Sequence, residues 1–425
     1  MKRFVLLSLM MLTVLTSQAQ TLDECCKLAR ENYPEIRQYD LIAETEQYNI
    51  SNAARAWIPQ VVFSGQATYQ SATPTYPEAF NQMIAASGLD MSGVRKDQYK
   101  VAIDVSQNIW DGGQSKANRA IAEAEAAEQR SRVDASLYDL QSRIQNLYFG
   151  ILLLDERVEQ TETLIEVLDA NLNRMHTYYK NGVAMQSDVD AIEAELLTAR
   201  QTLGQVVASR ASFRRMLEVF IGRPLTDETL TRPAMVEVAS RTSLRPELAM
   251  FDAQSNKLVA QRKAITTSVM PRFSAFAQGY YGYPGLDMFK SMVSSEWTLN
   301  AIVGVRMSWN IGAFYTQKNN LSKLDAAERQ IAIQRDVFLF NTEMQTTQDA
   351  DEIVRLRSVL EDDNRIVELR RSVRMAAESR LENGVIDATD LLRKIADETT
   401  ATLSRSTHEI ELLQATYRLK TTLNQ

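Results

Sequence analysis

The sequence has little of what enzymes and small secreted domains rely on. It holds two histidines, two cysteines and nine prolines in 425 residues, and no apolar run long enough for a transmembrane helix. With only His176 and His408 available, most metal and acid–base sites built on imidazole are excluded. Adjacent cysteines bridge each other only with strain, so Cys25 and Cys26 read as two small residues at the start of a helix, not as a disulfide. There is no phosphate-binding glycine loop and no His/Cys/carboxylate cluster at ligand spacing, so neither catalysis, nor a metal, nor a cofactor is expected. A net charge of −7 excludes a strongly basic nucleic-acid surface. The missing apolar run does not exclude a β-barrel, whose alternating strands hide their lipid face from hydropathy.

The prolines that are present are unevenly placed. Glu78–Arg223 and Gly285–Gln425 contain none, so long helices are permitted there. At the start, Lys2 and Arg3 precede the apolar run Phe4–Leu15 and the small-x-small site Ser17-Gln18-Ala19. Residues 1–19 therefore read as a secretory signal peptide. Cys25-Cys26 comes behind Asp23-Glu24, not directly after the apolar run, so no lipid anchor is expected.

Four pairs of segments repeat at an offset of about 199–212 residues. Pro34-Glu35-Ile36 answers Pro246-Glu247-Leu248, and Ile58-Pro59 answers Met270-Pro271. Val105 with Trp110-Asp111 answers Val305 with Trp309-Asn310, and Asn181-Gly182-Val183 with Asp188 answers Asn383-Gly384-Val385 with Asp390. The reading is two structural repeats, 20–222 and 243–425, joined by a linker at 223–242.

Each repeat has the same interior plan. Val61, Phe63, Gly65, Ala67 and Tyr69 alternate with Ser64, Gln66 and Thr68; Tyr99, Val101, Ile103 and Val105 alternate with Lys100, Asp104 and Ser106. The second repeat does the same from Phe273 to Tyr283 and from Trp297 to Trp309. Period two over this length predicts strands at about 60–71, 99–110, 272–283 and 297–310. Twelve residues reach about 40 Å and, tilted by about 45°, cross the height of an outer-membrane hydrocarbon band. Tyr69, Tyr99, Tyr281 and Trp297 fall at one end of the apolar face and Trp110 and Trp309 at the other, as in interfacial aromatic girdles.

The rest reads as helix. Ile144, Leu147, Ile151, Leu154 and Val158 begin a 3-4 spacing that continues to Tyr179 and resumes from Val189 to Phe220; Ile366, Leu369, Val373 and Ala376 start its counterpart. Asn-Gly ends a helix through a left-handed residue, so each repeat is expected to carry a helical hairpin, with tips near 180–186 and 382–388. A single helix of about 35 residues is expected before Pro59. Four strands cannot close a barrel, and an open edge in lipid leaves backbone groups unpaired, so the chain must close its sheet with copies of itself.

On these residues the chain resembles the TolC-type outer-membrane efflux channel family. The carrying segments are Leu22-Asp23-Glu24-Cys25 with Asn32-Tyr33-Pro34-Glu35, Pro59, Asn108-Ile109-Trp110-Asp111-Gly112-Gly113, Tyr179-Lys180-Asn181-Gly182 with Asp188, and Gly384 with Asp390-Leu391-Leu392. The resemblance implies an α+β membrane protein: a homotrimer whose twelve-stranded barrel continues into a coiled-coil barrel of helices. It implies an outer-membrane location in a Gram-negative bacterium, with a large periplasmic portion, and an exit duct for efflux or type I secretion. Its partners would be a periplasmic adaptor protein, an inner-membrane pump or ABC exporter, and outer-membrane lipid. In such a duct Asn181, Gly182, Val183, Asn383, Gly384 and Val385 would dock the adaptor. The entrance would be narrowed at Asp390, with Asp188 and Asp387 as further candidates; Arg393 stands where the family has a second acid, so the gate would be either an acidic ring or an Asp390–Arg393 pairing. The plainer readings are that Asp387 and Asp390 cap and charge the first turn of a helix. A soluble periplasmic coiled-coil scaffold is the competing function; it accounts for the heptads but poorly for four long strands with aromatic ends.

Overall fold

The structure, a computed structural model, describes residues 21–88, 93–225, 230–236 and 242–425. The signal segment 1–19 and parts of the linker, 226–229 and 237–241, lie outside the described residues. In chain order the elements are α1 (Leu22–Asn32), a 3-10 turn (Pro34–Arg37), α2 (Gln38–Arg55), β1 (Gln60–Tyr69), α3 (Glu78–Ala85), β2 (Asp97–Trp110), α4 (Gln114–Lys180) and α5 (Gln186–Ile221). The second half adds α6 (Pro246–Ser268), β3 (Arg272–Tyr283), α7 (Met288–Val293), β4 (Thr298–Ser308), α8 (Ala313–Glu382) and α9 (Ala388–Leu423). No described helix is long and apolar enough to cross a membrane.

The single helix expected before Pro59 is two helices. Tyr33 is extended at φ −65°, ψ 128°, because the ring of Pro34 disfavours helical geometry in the residue before it. Pro34 also lacks the N–H that would continue the ladder.

The chain divides into two compact units. The helical unit takes the described residues of 1–39, 131–250 and 334–425. Its main core joins Leu22, Cys25 and Ala29 of α1 to Ile144, Tyr148 and Ile151 of α4, Leu217 of α5, and Ile410, Leu413 and Tyr417 of α9. Cys25 is fully buried there, and each such side chain contributes roughly 1.5–3 kcal/mol of burial. Burial pushes the Cys25 thiol up to about 11 and the Cys26 thiol to about 12, so both stay protonated and unreactive near neutral pH. The described linker residues are strapped onto this core. The Tyr148 hydroxyl donates to the Thr231 carbonyl at 2.6 Å, the Tyr417 hydroxyl to Ala234 at 3.1 Å, and the Leu244 N–H to the Leu423 carbonyl at 2.9 Å.

The sheet unit takes 40–130 and 251–333. Its four strands are antiparallel in the order β1-β2-β3-β4, so β2 and β3 pair although more than 160 residues separate them, and β1 and β4 are the edges. The register puts apolar against apolar on one face: Val61 opposite Val105, Phe63 opposite Ile103, Val101 opposite Tyr281, Ala275 opposite Val305. A register shift at Asn108/Trp110 brings Trp110 opposite Phe273. Strand-to-helix corners are pinned by hydrogen bonds. Asn108 Nδ2 donates to the Ala56 carbonyl at 2.9 Å, and Trp309 Nε1 to Val269 at 2.9 Å. Asp111 accepts from the Gly113 and Ser115 N–H groups at 2.9 and 2.7 Å, which caps α4. Burial alone would raise the Asp111 carboxyl, but these bonds and the Ser115 hydroxyl outweigh it and hold it below the usual range.

Candidate functional site

Both hairpins end in the same turn. After Lys180 and after Glu382 the chain reads Asn-Gly-Val, with Gly182 at φ +74° and Gly384 at φ +69°. The Val183 N–H reaches the Tyr178 carbonyl at 2.9 Å and the Val385 N–H reaches Arg380 at 2.9 Å, so the last carbonyls of α4 and α8 are satisfied in the same way. A side chain at either glycine would meet nothing within 4 Å; glycine is required for its backbone angle, not for room. Val183 and Val385 stand 70% and 69% exposed at the two apices, where nothing in the chain covers them.

Behind the turns, both hairpins share one apolar cluster. Met175, Val189 and Ile192 of the first meet Ala377, Leu381, Leu391 and Ile395 of the second. Arg174 of α4 pairs with Glu382 of α8 at 3.2 Å. The two apices are therefore held as one structure at the same end of the helical unit.

The following helices are capped differently. At the first tip Asp188 Oδ2 accepts from the Met185 N–H at 2.9 Å, so this carboxylate is turned back into its own turn. At the second tip Asp387 Oδ1 accepts from the Asp390 N–H at 2.8 Å. Asp387 is thus the helix cap, and the Asp390 carboxylate is left half-exposed with Arg393 Nη1 3.9 Å away. The sequence singles out all four residues but not this exchange of roles. The signal was present, since Met185 stands where the second repeat has Asp387. Also unforeseen was the Arg174–Glu382 contact, which needs the packing of one hairpin on the other.

The aromatic residues fall into two groups on the sheet. At the loop end Trp297 lies 6.1 Å from Tyr99 and 5.4 Å from Tyr281, ring to ring, with Tyr69 exposed on β1. At the helix end Trp110 meets Phe273 at 5.9 Å and Trp309 meets Phe314 at 6.5 Å. Between the groups the apolar face is bare: Phe63, Leu299 and Val303 are 73%, 81% and 79% exposed. In water that face would forfeit roughly 1.5–3 kcal/mol for each such side chain left unburied. The opposite face is polar, and one ladder crosses it: Lys100 Nζ donates to Gln278 Oε1 at 2.9 Å, and Gln278 Nε2 donates to Asp104. Among the described residues no group of His, Cys, Asp or Glu could hold a metal ion. His408 instead lies 2.7 Å from Asp363, linking α9 to α8.

These features have known counterparts. Residues 26–223 match the family model described as outer membrane efflux protein. No curated protein matches the chain by sequence. Among solved structures, the outer membrane protein VceC of Vibrio cholerae is 13% identical and superposes with a TM-score of 0.68 over 95% of both chains. The CmeC outer membrane channel of Campylobacter jejuni is 11% identical, with a TM-score of 0.67 over 95% of this chain and 85% of the other. The open state of the MtrE outer membrane channel of Neisseria gonorrhoeae is 13% identical, with a TM-score of 0.67 over 95% and 88%. The fold, over 95% of the chain, is that of outer-membrane channels. The match to the outer membrane efflux protein model is confined to residues 26–223, and the likeness to these channels is one of fold.

Proposed function

We propose that three copies of the chain close their sheets into one twelve-stranded barrel and their helices into a coiled-coil tunnel. Together they form the passive exit duct of a tripartite efflux or type I secretion system. The observation that carries this is the sheet: one face apolar and exposed along all four strands, aromatic at both ends, with β1 and β4 free to pair with another copy. Lipid answers the face, and a neighbour's strand answers each edge. The competing reading, a soluble periplasmic scaffold, leaves both unanswered.

In this duct the hairpin tips are the periplasmic entrance. Exposed Val183 and Val385, with Asn181, Gly182, Asn383 and Gly384, form the surface for the adaptor, which couples the duct to an energised inner-membrane transporter. Three Asp390 carboxylates narrow the mouth and Arg393 restrains them, while Asp188 and Asp387 serve as caps beside them. Tyr69, Tyr99, Tyr281 and Trp297 mark the outer membrane interface, Trp110 and Trp309 the periplasmic one. The test has two parts. The protein should leave membranes only with detergent and run as a heat-modifiable oligomer on gels; free solubility refutes the proposal. In planar bilayers Asp390→Ala should raise conductance or weaken block by divalent cations, whereas unchanged values for both remove Asp390 from the mouth.

A further inference from the structure

We infer that Arg272 and Arg306 form an anion-binding site on the polar face of the sheet, at the end where the strands meet the helices. The inference rests on the duct proposed above, in which that face lines the lumen.

The polar face carries few charges. β1 contributes none, β2 contributes Lys100 and Asp104, β3 Arg272 and β4 Arg306. Lys100 and Asp104 answer each other through Gln278, and the Lys100 ammonium also lies 4.5 Å above the Tyr280 ring. Arg272 and Arg306 have no such answer: among the described residues neither forms an ion pair. Register places Arg272 opposite Ser308 and Arg306 opposite Ser274, so the two arginines are diagonal neighbours on one face, with about 7–8 Å between their backbone positions. Like charges at that spacing repel unless a shared anion lies between them. The chain as a whole carries −7, so two unanswered cations here are a local reversal of sign and not a general surplus.

The surroundings define what would bind. The Arg306 guanidinium lies 4.8 Å above the Phe276 ring. That ring lies over Gly304, where an added Cβ would come within 3.0 Å of it. Phe276 thus keeps the guanidinium along the sheet. Two guanidinium forks, the hydroxyls of Ser274 and Ser308 and one aromatic ring suit a carboxylate, sulfonate or phosphate carried on an aromatic body. In a closed assembly of three chains, six guanidiniums would share one level. Such a collar would draw anionic groups into the barrel.

The probe is 1,5-naphthalenedisulfonate, added on the barrel side of the full-length protein in planar bilayers. It should block current in the native protein. In the Arg272→Gln/Arg306→Gln double variant its half-blocking concentration should rise about tenfold, the factor for losing one strong charged contact. Lys100→Gln should leave the block unchanged, because Lys100 is already engaged. A heat-modifiable band shows that each variant still assembles. Conducting channels that the dianion fails to block, or blocks equally in the double variant, overturn the site and leave the duct standing. A native protein that forms no conductance overturns the duct itself, and this site with it.

Discussion

At the first hairpin tip the Asp188 carboxylate folds back onto the Met185 N–H; at the second, Asp387 takes the Asp390 N–H and leaves the Asp390 carboxylate facing out. The Asn-Gly-Val turns before these caps match in backbone angle and closing bonds. A duplicated turn therefore need not duplicate its chemistry. One substitution at the cap position, methionine in one repeat and aspartate in the other, decides which carboxylate is used for folding and which remains for a solvent-side role. In the proposed duct, this asymmetry would leave only the second tip with an uncommitted carboxylate at the entrance.

Four experiments would break or sharpen this contrast. The largest effect is expected in the shared core behind the tips. Leu391→Ala should cost about 2–5 kcal/mol in the stability of the helical unit, because Leu391 is fully buried between the hairpins. Its counterpart Val189→Ala should cost less, having fewer methyl groups to lose; equal losses by denaturant titration would show that the two sides of the core are not packed as described. Next, Gly182→Ala and Gly384→Ala should each cost about 1–2 kcal/mol, since both force a side chain into the left-handed region. Here equality is the expectation, and a large difference would mean the turns are not equivalent. Third, Asp387→Ala should cost about 1 kcal/mol by removing a cap, while Met185→Ala costs nothing measurable. The smallest effect is expected from Met185→Asp, which gives the first tip the cap of the second. It should stabilise by about 0.5 kcal/mol and release Asp188, read as an added response of conductance to Asp188→Ala that the native background lacks.

Much of this fold could be read from the residues because the signals are local. The 3-4 spacing from Ile144 onward lies in α4, and the alternation from Val61 to Tyr69 lies in β1. A helix or strand with one committed face must write its period into the chain. The break at Pro34 was equally local, but a helical pattern that resumes after it hides a 3-10 turn. Other features depend on pairings that no single segment encodes. β2 meets β3 across the whole first hairpin, so Gln278 falling beside both Lys100 and Asp104 follows only from register. The straps from Thr231 and Ala234 to Tyr148 and Tyr417 use backbone carbonyls, which leave no trace in side-chain type. At the candidate site, composition and spacing identify Asp188, Asp387, Asp390 and Arg393, and the direction of each cap follows from methionine or aspartate at the cap position.

In the proposed assembly, β1 and β4 carry a consequence for the life of the chain before its copies meet. Each is a long edge with a row of amide and carbonyl groups open to any extended segment that arrives, and its side chains are apolar on one face. A lone copy is therefore adhesive at both sides of its sheet. In the assembly proposed above, abundance would thus act on this protein as a folding condition. Too few copies, or copies released where others are scarce, leave the edges waiting, and the cell must either hold them covered or clear them away.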